Sequence, residues 1–309
     1  MQYPRRAWGS KALPDAWFLV ARLSDDSWTA LRSAGTREEA LRDGAVPAWA
    51  NAADVWRDSP ELKVGVHGTP IFLPHHVTIR ENWLVRNRHW IDPIRAEARP
   101  TTVFTWSEET CGDPLAPRFG GPAPLPMSLP WPICAACHRP LTYIGTLDFR
   151  GTAIRTNVPA DGIAVFFCLA DGEGRAAVWL DHQQALRLVD SPPELKKKGR
   201  IGTPWVVADY PWTWDKGHTR ILCEACEEDP ILGGKVYKSV TVFGTKIGGH
   251  IFWIQRGQDI PKCLCGESMR FLGQFASYDD IMIGDAGILY LFSCARGTCD
   301  NVEVIEQCF

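Results

Sequence analysis

The chain has 309 residues, 45% hydrophobic and 22% charged, with 33 basic against 36 acidic side chains and a net charge of −3. That length fits about two domains and buries roughly three quarters of its surface without an external staple. The composition, with 27 Gly and 23 Pro, excludes disordered, collagen-like and coiled-coil classes, and the charge excludes a general attraction to nucleic acid or anionic lipid.

Residues 14–22 predict a strand. Thr36-Arg37-Glu38-Glu39 has the capping-box pattern of a short helix ending at Gly44, and Asn51 caps a second through Arg57. Residues 63–85, β-branched and broken by Pro70 and Pro74, read as short strands. Residues 1–100 are therefore expected to form a small α+β unit. The Pro and Gly cluster over 111–132 marks a boundary or long loop. Beyond it, 141–149, 162–170, 176–180, 235–243, 269–275 and 287–293 predict strands, and 194–200 a solvated loop.

Arg5 and Arg6 are followed by Ala7-Trp8-Gly9-Ser10-Lys11, not by the apolar run of a signal peptide. The apolar stretch 163–170 and the stretch 281–295, interrupted by Asp285, are too short to span a bilayer. A cytoplasmic protein without membrane association is expected, in a reducing compartment where paired cysteines more often hold metal than form disulfides.

The second part of the chain repeats itself. Gly120-Gly121 and Cys137 match Gly248-Gly249 and Cys265 at an offset of 128, as do Leu141, Tyr143, Ile144, Gly145 and Leu147 with Met269, Phe271, Leu272, Gly273 and Phe275. Gly162, Phe167 and Cys168 then align with Gly287, Phe292 and Cys294 at offsets of 125, 125 and 126. The fold class expected is α+β, a β-rich duplicated domain over 101–309 with halves at about 118–190 and 235–309, preceded by the N-terminal unit.

Eight of the 11 cysteines form four short pairs: Cys134/Cys137, Cys223/Cys226, Cys263/Cys265 and Cys294/Cys299. Thiolates two to five residues apart on a tight turn can face one tetrahedral ion, and two pairs complete a four-cysteine zinc site. Four pairs predict two structural zinc ions. The duplication favours Cys263/Cys265 with Cys294/Cys299, and elimination joins Cys134/Cys137 to Cys223/Cys226. The repeat also brings Cys168 toward Cys134/Cys137 as an alternative ligand. Cys134-Ala-Ala-Cys137-His138 formally matches a haem-attachment pattern, which requires export, and a thioredoxin-type pair, which should open a helix where Pro140 follows here. Unliganded buried thiols are the remaining reading. A closed all-cysteine site stabilises, on the order of 10 kcal/mol, and has no open position for catalysis.

The chain contains no Gly-Lys-Ser/Thr phosphate loop, dinucleotide fingerprint, His-Glu-x-x-His or nucleophile elbow. His75-His76 reads as a loop pair, Asp279-Asp280 with Asp285 as acidic turns, and Trp205, Trp212 and Trp214 as packing. Glu224, Glu227, Glu228 and Asp229 crowd the Cys223/Cys226 turn, an acidic patch fitted to dock a basic partner.

The string Arg118-Phe-Gly-Gly-Pro-Ala-Pro-Leu-Pro126, then Trp131-Pro132 and Pro140-Leu-Thr-Tyr-Ile-Gly145, resembles the YwqG-like family of bacterial proteins. So do Lys246-Ile-Gly-Gly-His250, Trp253-Ile-Gln255, Met269-Arg-Phe-Leu-Gly-Gln-Phe275 and Gly284-Asp-Ala-Gly-Ile-Leu-Tyr-Leu-Phe292, with His250 in place of the usual Pro. The resemblance spans about residues 101–309. It implies a duplicated β-rich fold, brings no catalytic residues, and, because family members recur near polymorphic toxin genes, implies an immunity protein that neutralises a cognate toxin or effector protein by binding. The alternatives are an enzyme with a site between the duplicated halves and an adaptor for a toxin secretion system.

Overall fold

The computed structural model describes residues 17–23, 28–34, 66–74, 92–211, 242, 244–255, 258–297 and 299–308. The chain divides into two compact units, Met1–Ala96 with Gly234–Val240 and Glu97–Gly233 with Thr241–Phe309. In the first, β1 (Trp17–Leu23) pairs antiparallel with both β2 (Trp28–Ala34) and β3 (Val66–Pro74).

The second unit is built on one antiparallel sheet of ten strands. Its strands are β4 (Arg99–Ser107), β5 (Arg118–Phe119), β7 (Thr142–Asp148), β8 (Gly162–Phe167), β9 (Arg175–Leu180), β11 (Arg200–Asp209), β12 (Lys246–Gly248), β13 (Arg270–Ala276), β14 (Ile288–Ser293) and β15 (Val302–Gln307). Their order is β15-β14-β13-β12-β4-β11-β5-β7-β8-β9, while β6 (Ala123–Pro126) and β10 (Leu186–Val189) form a separate ribbon. The edge strands meet: Arg175 on β9 donates to the Val304 carbonyl at 2.7 Å, and the Trp179 indole N–H to the Asp300 carbonyl at 2.9 Å. The sheet is nearly closed into a barrel.

The expected α+β class is overturned: the structure is nearly all β. Among the described residues the helices are short 3-10 turns, Asp92–Glu97, Arg155–Asn157 and Pro193–Leu195. In the supposed N-terminal α+β unit the described residues form a three-stranded sheet, the 3-10 turn Asp92–Glu97 and the start of β4. The helices expected at 36–44 and 51–57 lie outside the described residues, as does the strand expected at 235–243 except for Val242. The Pro and Gly cluster read as a boundary contains β5 and β6.

The sheet order halves into two matching runs of five, β4-β12-β13-β14-β15 and β11-β5-β7-β8-β9. Both runs carry a β-bulge at the same place, between Tyr143 and Gly145 and between Phe271 and Gly273. Tyr143 faces Phe166 and Phe271 faces Phe292, so Phe166, not Phe167, matches Phe292, and one step of two residues converts the offset of 128 into a uniform 126. The leading strand of each sequence repeat is exchanged. β4 precedes β5 in the chain yet pairs with β12, and β11 precedes β12 yet pairs with β5.

The alternation of strand side chains puts Ile163, Val165, Phe167, Leu289 and Leu291 in one core with Phe119, Ile247, Leu272 and Phe275. Tyr143, Ala164, Phe166 and Cys168 point the other way and are covered by Ala123 and Leu125 of β6. Trp131 packs edge-on to Phe166 with centroids 5.4 Å apart, and Trp253 covers Tyr290 at 4.7 Å. With both faces covered, β8 is apolar throughout, β14 is apolar up to its last residue, Ser293, and both are buried at every position.

Candidate metal centres

Strand period two places Cys168 and Cys294, the residues that follow the last positions of β8 and β14, on the outer face of the sheet. Each is joined there by a tight turn from the covering arm. In the first turn His138 takes φ 57° and its N–H returns to the Cys134 carbonyl at 3.0 Å. In the second Gly266 takes φ 87° and its N–H returns to the Cys263 carbonyl at 2.8 Å. A left-handed residue immediately after the second cysteine closes both turns. The turns after the strands close alike, Gly172 on the Cys168 carbonyl at 2.9 Å and Gly297 on the Cys294 carbonyl at 3.2 Å.

These four turns assemble two groups. Cys263, Cys265, Cys294 and Cys299 form one, and Cys134, Cys137, Cys168 and Asp171 the other, with all ligand atoms in each within 4.8 Å of one another. Both groups could hold a metal ion. The Cys265 and Cys294 sulfurs are 3.7 Å apart and those of Cys137 and Cys168 3.6 Å. A tetrahedral ion with metal–sulfur bonds of about 2.3 Å has sulfur–sulfur edges of roughly 3.8 Å. Mixed sulfur–oxygen edges come to roughly 3.5 Å, against 3.2 Å between Cys134 Sγ and Asp171 Oδ2. The spacing fits coordination and is far too long for disulfides, and all nine described cysteines are free.

The electrostatics fit as well. The Arg139 backbone N–H pulls the Cys137 thiol down, but its hydrogen bond to Asp171, burial and the thiols of Cys134 and Cys168 together push it up to about 12. Hydrogen bonds from Cys168, the Glu173 N–H, Cys137 and Cys134 hold Asp171 below the usual carboxylate range. Such a crowded thiol cluster becomes thiolate by exchanging protons for a cation.

Cys223 and Cys226, expected to complete the first site, lie outside the described residues, as does the acidic patch Glu224, Glu227, Glu228 and Asp229. Among the described residues the partners beside Cys134 and Cys137 are Cys168 and Asp171. Cysteine spacing does not point to Asp171; its signal in the sequence is the Asp171-Gly172 turn that follows Cys168. His75, His76, Trp212 and Trp214 also lie outside the described residues, while Trp205 donates to Thr105 Oγ1 at 3.0 Å. The acidic turn at Asp279 and Asp280 pairs with the basic loop: Arg200 meets Asp279 at 2.6 Å and Lys197 the Asp280 carbonyl at 2.8 Å.

A third cluster, also missed, lies where β8 begins and β9 ends. The buried Asp161 carboxylate accepts from Arg155 Nε at 2.8 Å and from the His182 backbone N–H at 3.0 Å, and it contacts the exposed His182 ring through Nδ1. Asp161, Asp181 and His182 are grouped closely enough to hold a cation, but Arg155 already neutralises one Asp161 oxygen.

Among the described residues no helix is long and apolar enough to cross a membrane. The family model described as Domain of unknown function (DUF1963) matches residues 117–295, from β5 to just beyond Cys294. No curated protein matches the chain.

Proposed function

The chain belongs to the DUF1963 family, whose function is unknown, and on that premise we propose that it is a zinc-stabilised binding protein of the YwqG-like kind. Its role in this reading is that of a cytoplasmic immunity protein that blocks a cognate toxin or effector by direct contact. The observation that carries the metal half is the pair of thiolate-rich groups, each with four protein ligands at tetrahedral spacing. Soft thiolates without a geometric demand beyond the tetrahedron select zinc among the common divalent ions. A bound zinc ion supplies folding energy there, tying each covering arm to the end of its strand. The four thiolates of the Cys263 group leave no position for substrate, which favours a scaffold over a metalloenzyme.

The binding half rests on the resemblance of Arg118–Pro126 and its repeat to a family found near toxin genes, and on the acidic residues Glu224, Glu227, Glu228 and Asp229 as a surface for a basic partner. Copurification with the product of the adjacent gene, and rescue of cells expressing that product, test it. A stable complex and rescue are expected; no complex and no rescue would sink the proposal.

One observation favours the enzymatic alternative. The buried Asp161 orients an exposed imidazole, the arrangement of a general base. Turnover of a metabolite that disappears in H182A would replace the binding proposal with this one.

A further inference from the structure

We infer that the two metal groups differ in kind: the one containing Asp171 is an exchangeable site whose carboxylate leaves to admit an incoming ligand, and the all-cysteine one is a permanent staple. This inference rests on the metal-binding reading above and adds a division of labour between the two groups.

Three features of the first group carry it. Among the described residues its fourth ligand is a hard oxygen beside three soft sulfurs, and the borderline-soft ions that three thiolates select bind such an oxygen less firmly than a fourth thiolate. Asp171 is exposed, on the turn after β8, where an incoming ligand can approach from solvent. Its second oxygen is already satisfied, Oδ1 accepting from the Glu173 N–H at 2.9 Å and the Gly174 N–H at 3.4 Å. Detachment of Oδ2 swings the whole carboxylate and trades these hydrogen bonds for water on the exposed turn, while Cys134 and Cys168 stay buried. The three thiolates are held differently: Cys134 and Cys168 are buried, and Gly174 packs so closely that a Cβ there would lie 2.4 Å from Cys134 Sγ.

Exposure alone does not separate the two groups, since Cys265 of the second is exposed too. The donor atom does. In the second group the fourth ligand is Cys299, supplied from beyond the Gly297 turn, and every ligand is a thiolate. Loss of the Asp171 bond leaves three thiolates and one open position, the ligand count of a reactive rather than a structural zinc site. An incoming donor occupies that position, and with a chelating donor the ion departs.

The test uses the full chain, purified without chelator, mixed with an excess of a chromophoric pyridylazo chelator that reports released zinc. Two phases of equal amplitude are expected. Changes in a single group around a metal alter affinity on the order of 10–100-fold, and the two rates should differ on that scale. In D171C the fast phase should merge with the slow one, and in C299D the slow phase should become fast. Release in one phase from a protein holding two ions, or two phases that D171C leaves unchanged, overturns the inference while leaving the metal reading intact. A folded protein holding no zinc overturns the metal reading itself. The wild-type time course needs no variant to fold, so the outcome stands even if a substitution proves unstable.

Discussion

Lys246 and Asp209 are both fully buried, with Lys246 Nζ 2.8 Å from Asp209 Oδ2. The carboxylate also accepts the Val242 and His250 backbone N–H groups at 2.7 and 2.8 Å. Satisfied on all sides, the pair holds the end of β11 against the start of β12. Removing one partner leaves an uncompensated charge in the interior, so K246A should cost about 3–5 kcal/mol in denaturant unfolding. A midpoint close to wild type would show that the site opens to water. The matching position in the other half is Arg118, whose Nη2 donates to the Cys111 and Asp113 carbonyls at 2.6 Å each.

Asp161 makes a pH-dependent contribution. Burial alone raises its pKa, but the His182 N–H and ring and the Arg155 guanidinium outweigh it and hold the carboxyl near 2 rather than at its usual 3.8. A depressed folded-state pKa gives stability that is complete above 3.8 and is lost as pH falls toward about 2. The gap in Tm between wild type and D161N should therefore be widest above that window and close within it; a gap indifferent to pH contradicts the assignment. At this scale the sequence was partly legible. Six of the eight ligands in the two groups were marked by cysteine spacing, and Cys168 by the repeat, as an alternative to Cys223 and Cys226. Asp171, Asp161 and His182 were not, because a single Asp or His has no partner until folding brings one.

The bulges of β7 and β13 depend on glycine. A Cβ on Gly145 would lie 2.3 Å from the Arg118 carbonyl, and one on Gly273 2.4 Å from the Lys246 carbonyl. The neighbouring strands β5 and β12 close on these glycines in the same way. G145A and G273A should each destabilise by more than about 1 kcal/mol, measured by denaturant unfolding, because strand and neighbour must separate. Strands flanked by recognisable turns were readable: β7, β9, β13 and β14 start and end within one residue of expectation, and β8 starts where expected but ends at Phe167 rather than Ala170. β4 and β11 were not. β4 is buried at six successive positions and so lacks alternation, and both strands contain proline. Pro204 is tolerated because β5 pairs only with Arg200 and Ile201, leaving that edge of β11 without a strand partner among the described residues. The stretch 194–200, read as a solvated loop, runs into β11 at Arg200, and its lysines tie to Glu108 and Asp280.

At the scale of the whole molecule, the repeat was visible in the glycines, aromatics and cysteines, but the exchange of β4 and β11 was not. A swap changes which strands pair and leaves the repeated residues as they are. The exchange gives the nearly closed sheet one core drawn from both halves, so neither half completes its five-strand run from its own sequence repeat. The two groups that could hold metal ions lie outside that core, one at the end of β8 and one at the end of β14, each where an arm meets its half.

In the proposed function each of the two groups holds one zinc ion. Metal analysis of the full chain purified without chelator tests it directly. The account predicts two zinc ions per chain, one in C294S and one in C168S; a folded wild-type preparation essentially free of zinc, or one whose content is unchanged by both substitutions, would contradict it.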